Sequence, residues 1–183
     1  STSGAANDTV DLGYQNGVSD ASASAPLTGV GASVAVLTVS DAGTYGNVII
    51  GASAHQLFTV VNSGETAAVL GTVTTAGLNL AAPFTLDGGT CGTSGAVGGD
   101  GGTCEFAVSF APTSSVAALD TIDLGYNDGL SGQTASRGVS GIGSPPASLV
   151  ISHAPTFDFG PVTLTFSSSR LLLVANKGGN SAT

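Results

Sequence analysis

The chain has 183 residues, 42% of them hydrophobic, enough to bury one large or two small cores. Charged residues make up only 8%, and the net charge of −9 reflects a near absence of bases: Arg137, Arg170 and Lys177 are the full complement of Lys and Arg. Three scattered cations cannot neutralise a run of phosphates or hold an anionic bilayer, so nucleic acid and membrane surfaces are excluded as expected partners.

Within residues 32–143 apolar residues alternate with period two, the pattern that puts one face of a β-strand on a core. In chain order the strand-like runs are TVDLGY (9–14), VAVLTV (34–39), QLFTVVN (56–62), AAVLGTV (67–73), PFTL (83–86), CEFAVSF (104–110), TIDLGY (121–126) and QTASRGVS (133–140). In CEFAVSF the inward set is Cys104, Phe106, Val108 and Phe110; in TIDLGY it is Ile122, Leu124 and Tyr126. Turn signals separate the runs at Asn62-Ser63-Gly64, Asp87-Gly88-Gly89 and Asn127-Asp128-Gly129. No segment carries sustained helical periodicity with caps.

One phrase is written twice: TVDLGYQNG at 9–17 and TIDLGYNDG at 121–129, 112 positions apart (121 − 9). At that offset Gly29, Gly31, Leu37 and Ser40 also match Gly141, Gly143, Leu149 and Ser152. A two-residue insertion, SDAGTYG (40–46) against SHAPTFDFG (152–160), then raises the offset to 114 (160 − 46), and Val48, Val60, Asn62 and Gly64 match Val162, Val174, Asn176 and Gly178. Residues 32–143 therefore read as one complete unit. Residues 1–31 read as the C-terminal strands of a preceding unit, and 144–183 as the N-terminal strands of a following one. About seven short strands in such a unit predict an all-β chain of tandem immunoglobulin-like antiparallel β-sandwich domains.

The complete unit resembles the bacterial choice-of-anchor D repeat, a relative of the Hydin-type (ASH) immunoglobulin-like domains. The resemblance rests on Tyr45-Gly46 and Phe159-Gly160, FTVVNSG (58–64), PFTL followed by Gly89-Thr90-Cys91, CEFAVSFAP (104–112) and the closing Ser140-Gly141-Ile142-Gly143. Two features depart from it: a longer stretch between the cysteines and an unusual DLGYND strand. The resemblance implies a secreted or surface-exposed bacterial protein with tandem sandwiches, common in adhesive and surface proteins, and brings no catalytic residues with it.

Cys91 and Cys104 flank a Gly-rich loop of 12 residues (104 − 91 − 1). In an exported chain they are expected to form a disulfide; the alternative is a pair of buried thiols, while zinc lacks a second ligand pair. Asp87, Asp100, Asp120, Asp123 and Asp128 offer oxygens to calcium, but no spacing matches a defined calcium loop and turn acids are the simpler reading. His55 and His153 stand beside strands without a recognisable nucleophile motif, and no phosphate-binding loop occurs. No cofactor is expected and no enzyme activity. The 3 Tyr and 7 Phe, with no Trp, mostly fall on inward faces and are expected to pack cores rather than stack on sugars. Asn7-Asp8-Thr9 is a formal glycosylation sequon that a bacterial chain leaves unused.

No apolar run approaches the ~20 residues of a spanning helix, the longest being Leu171 to Ala175. Met is absent and no basic segment leads an apolar one, which reads as a processed form or an excerpt of a longer protein. The two end fragments are complementary but lack a counterpart of about 70–112. They are expected to be completed by neighbouring repeats, by strands of another copy, or by each other. The sequence thus points to an extracellular building block or spacer of an adhesin, filament or surface layer that self-associates. A carbohydrate- or protein-binding module, taking a host or surface glycan or protein, is the alternative.

Overall fold

The computed structural model describes residues 4–40, 43–153 and 155–183. Outside them lie residues 1–3 of the first fragment and residues 41, 42 and 154 of the aligned insertion segments. A hairpin of β1 (Gly4–Gln15) and β2 (Asp20–Gly31) comes first. Then follow β3 (Leu37–Val39), β4 (Thr44–Ile49), β5 (Ala54–Asn62), β6 (Ala68–Leu70) and β7 (Phe84–Gly89). A one-turn helix α1 (Cys91–Ser94) precedes β8 (Ala96–Val97), β9 (Thr103–Phe110), β10 (Ala117–Asn127) and β11 (Gly132–Ser144). Two short strands, β12 (Leu149–Ile151) and β13 (Val174–Asn176), pair near the C-terminus.

Two sheets in the order β3-β5-β9-β7 and β4-β11-β10-β6-β8 pack face to face and give an immunoglobulin-like β-sandwich. The alternation written in the sequence is the reason: Phe106, Val108 and Phe110 of β9 and Ile122 and Leu124 of β10 are sealed between the sheets, with Phe58 and Val60 of β5 beside them. Phe58 and Phe106, opposite each other across β5 and β9, stack with ring centroids 5.6 Å apart. Each such large apolar side chain contributes roughly 1.5–3 kcal/mol by leaving water. Gly141 on β11 is required by this packing, because a Cβ there would lie 2.4 Å from the Phe110 ring.

Several strands differ from expectation. The run at 34–39 is a strand only from Leu37, since Val36 N–H turns away to the side chain of Asn62. The run at 67–73 ends at Leu70; the turns that follow lower Leu78 and Leu80 into the core. Strand β4 was not foreseen, and it adds to β11 in parallel, with Ser140 opposite Thr44 and Gly143 opposite Val48. Parallel strands need a long connection between them, here residues 50–131 from β4 to β11, and β3 and β4 lie in opposite sheets. The loop between the cysteines folds as α1 and β8.

Candidate functional site

The disulfide joins Cys91, at the start of α1, to Cys104 on β9, closing a loop of sequence separation 13. Both sulfurs are inside the core, so the bond pins the Gly-rich loop to the central strand.

His55 on β5 holds its Nδ1 2.7 Å from Asp87 Oδ2, and its Nε2 lies 3.4 Å from Ser53 Oγ. This brings together an acid, an imidazole and a hydroxyl, a grouping that sequence reading missed because Asp87 lies on β7, 32 residues from His55 (87 − 55). The array is open to solvent, and the Gly51 and Ala52 amides before Ser53 already donate to the Pro112 and Ile49 carbonyls, so they are not presented to a developing oxyanion. His153 sits elsewhere, edge-on to Phe157. Among the described residues no three His, Cys, Asp or Glu side chains gather as a metal-holding group. Asp128 acts within its turn, accepting from the Leu130 and Ser131 amides; these bonds, that from Ser131 foremost, hold its carboxyl below the usual aspartate range. Asp123 accepts from Ser136, and Asp120 from the Ala81 amide. A groove of about 740 Å³ between β3 and the first half of β11 is lined by hydroxyl groups, among them Thr38, Ser40 and Ser136, by apolar side chains such as Leu37 and Val61, and by Arg137, and has no aromatic wall.

The distinctive surfaces are at the two ends of the chain. The β1–β2 hairpin has the strand pairing of β10–β11 in the same register: Leu12 faces Ala23 as Leu124 faces Ala135, and Tyr14 faces Ala21 as Tyr126 faces Gln133. Its turn is held the same way, by Asn16 Oδ1 accepting from Val18 and Ser19 where Asp128 accepts from Leu130 and Ser131. Yet Leu12 is 65% exposed and Leu124 1%. Val10, Tyr14 and Leu27 are uncovered likewise.

The C-terminal segment reproduces the pairing of β3 with β5 over three residues, while residues 158–163, which align with β4, form no strand. Leu149 pairs with Asn176 as Leu37 pairs with Asn62. Asn176 Oδ1 accepts from the Ser148 and Gly178 amides as Asn62 Oδ1 accepts from those of Val36 and Gly64. Gly178 and Gly64 each pass so close to the preceding chain that a Cβ would meet a carbonyl oxygen, of Pro146 or Val34, at 2.0 Å. Asn62 also donates to the Val97 and Gly98 carbonyls and is fully buried. Asn176, by contrast, is exposed, and Val174 is 60% exposed where Val60 is sealed. The expectation that aromatic residues pack cores fits Phe58, Phe84, Phe106 and Phe110; it does not fit Tyr14, Phe159 and Phe166, which lie on these open end segments.

No family model and no curated protein matches this sequence. Among solved structures, the VesB protease of Vibrio cholerae superposes with a TM-score of 0.51 at 18% identity, over 58% of this chain and 31% of that one. A protein of unknown function from Porphyromonas gingivalis W83 gives 0.47 at 13% identity, over 77% and 66% of the two chains. The ASH/PapD-like domain 7 of human CEP192 gives 0.39 at 12% identity, over 58% and 84%. This chain thus spans less than a third of the Vibrio protease, and the likeness is one of fold.

Proposed function

We propose that this chain is a non-enzymatic extracellular structural protein: a building block or spacer of a bacterial adhesin, filament or surface layer, composed of tandem sandwiches of the choice-of-anchor D kind. Residues 32–143 are its complete unit, and residues 1–31 and 144–183 are strands of adjoining units. The observation that carries this reading is the pair of apolar end segments, one register-matched to β10–β11 and the other to the three-residue pairing of β3 with β5, each uncovered among the described residues. Sheets with open faces and edges recruit further strands, so units of this kind associate head to tail by β-strand complementation. The disulfide and the scarcity of Lys and Arg fit an exported protein facing proteases. No helix among the described residues is long and apolar enough to cross a membrane.

Electron microscopy of the purified chain tests the proposal: ordered filaments or sheets are expected, and dispersed single particles at every concentration would count against it. A carbohydrate- or protein-binding role has one observation in its favour, the groove of mixed polar and apolar lining at Thr38, Ser40 and Ser136. Glycan-array binding abolished by Ser136→Tyr would support that reading.

A further inference from the structure

We infer that the β1–β2 hairpin of one copy docks on residues 144–183 of a second copy, in the arrangement that β10–β11 and β3–β4–β5 adopt inside the sandwich. The inference rests on the self-association proposed above and specifies its partner and register.

Inside the sandwich, three kinds of contact join these elements. Strand β4 adds in parallel to β11, and the Ser140 and Thr44 hydroxyl oxygens come within 3.4 Å. The Leu37 amide donates to Tyr126 Oη at 3.3 Å, and the Ala35 amide to the Asp128 carbonyl at 3.0 Å. Val139 and Leu124 of the hairpin share one core with Leu37, Val48, Phe58 and Val60. The end segments carry, in sequence, a counterpart of every residue named, and residues 158–163, which form no strand in the single chain, take up the β4 position on docking. The hairpin supplies Thr28, Tyr14, the Asn16 carbonyl, Leu27 and Leu12. The C-terminal segment supplies Asp158, the Leu149 and Ala147 amides, and Leu149, Val162, Leu172 and Val174. Pro161 replaces Asn47 and removes one amide donor, which an edge strand such as β4 tolerates. Counterparts of β7 to β9 are missing from the two segments, so the docked pair has a thinner core than the sandwich.

A second copy is the occupant because the two ends leave the sandwich at opposite poles. The chain enters at Ala35, bonded to Asp128 in the turn of the β10–β11 hairpin, and leaves at Ser144, at the far end of β11. A strand of that length separates the poles by about 40 Å. A contact between opposite poles is heterologous and propagates as a fibre unless the rotation between copies closes a ring.

Single-cysteine variants Thr28→Cys and Asp158→Cys, mixed under mild oxidation, test this. These positions correspond to Ser140 and Thr44, whose side chains meet. The expected result is a cross-linked dimer in at least about tenfold greater yield than from Ala6→Cys mixed with Asp158→Cys, since disulfide geometry is selective. Ala6 is also exposed but lies on β1, the strand on the other side of the hairpin from the proposed docking edge. Assembly in solution with equal cross-linking at Ala6 and Thr28 would overturn the register while leaving self-association standing. A chain that stays monomeric and does not cross-link would overturn both. A Thr28→Cys/Asp158→Cys double variant that yields only cyclised monomer would overturn the second copy as occupant.

Discussion

The hairpins β1–β2 and β10–β11 share a phrase, a register and a turn, yet one is bare and the other sealed. Local sequence therefore suffices to set strand pairing, because alternation and the Asn16 or Asp128 turn are both short-range. Burial is non-local: Leu124 is covered because β5 and β9 return across it, whereas Leu12 has no such strands among the described residues. The same contrast separates β3–β5 from β12–β13, where Asn62 is enclosed by the Val97 and Gly98 carbonyls and Asn176 is not.

The sharpest way to break the comparison is to cut matched side chains. Leu124→Ala is expected to cost about 2–5 kcal/mol by leaving a cavity, while Leu12→Ala changes the stability of the dilute chain by less than about 0.5 kcal/mol. Denaturant titrations of both variants check this, and equal losses would mean that the hairpin face is already covered. Next in size is the disulfide. Replacing Cys91 and Cys104 together by Ser removes a closed loop worth about 3 kcal/mol in the chain-entropy model. The central sandwich should unfold earlier, with amide exchange in the β12–β13 pair unchanged.

Two pH effects follow at smaller scale. Burial pushes the Tyr45 phenol up to about 12, and its hydroxyl donates to the Val108 carbonyl at 2.6 Å. Because the folded value is the higher one, this stabilisation is complete below the ordinary tyrosine value near 10 and is lost as pH rises towards 12. Tyr45→Phe should cost about 0.5–1.5 kcal/mol at neutral pH and flatten the alkaline melting curve; Phe159 already stands at the matching place in the C-terminal segment. Asp128 is held below its ordinary value, so its contribution is present above the unfolded value of about 3.9 and is lost as pH falls through the folded one. Asp128→Asn, which copies Asn16, should keep the turn and reduce acid sensitivity in melting curves from pH 5 downward.

Most of the sandwich was legible in the sequence. Phe106, Val108 and Phe110 alternate strictly, the Asn62-Ser63-Gly64 and Asn127-Asp128-Gly129 turns are strongly signalled, and the cysteine pair lies close in sequence. Strand β4 was not legible, because its parallel partner β11 lies about a hundred residues away and Thr44–Ile49 lacks a clean alternation. Nor was the His55–Asp87 pair, whose strands meet through β9. The end faces were legible only through the repeated phrase, since nothing inside a strand records whether another sheet will cover it.

Sedimentation velocity of the native chain and of Leu12→Asp, across a concentration series, tests the central claim most directly. The account predicts species at multiples of 17.5 kDa that grow with concentration in the native chain. It predicts their collapse to one monomeric species in Leu12→Asp, whose exposed position leaves the fold intact. A native chain that sediments as a single 17.5 kDa species throughout, indistinguishable from the variant, would contradict it.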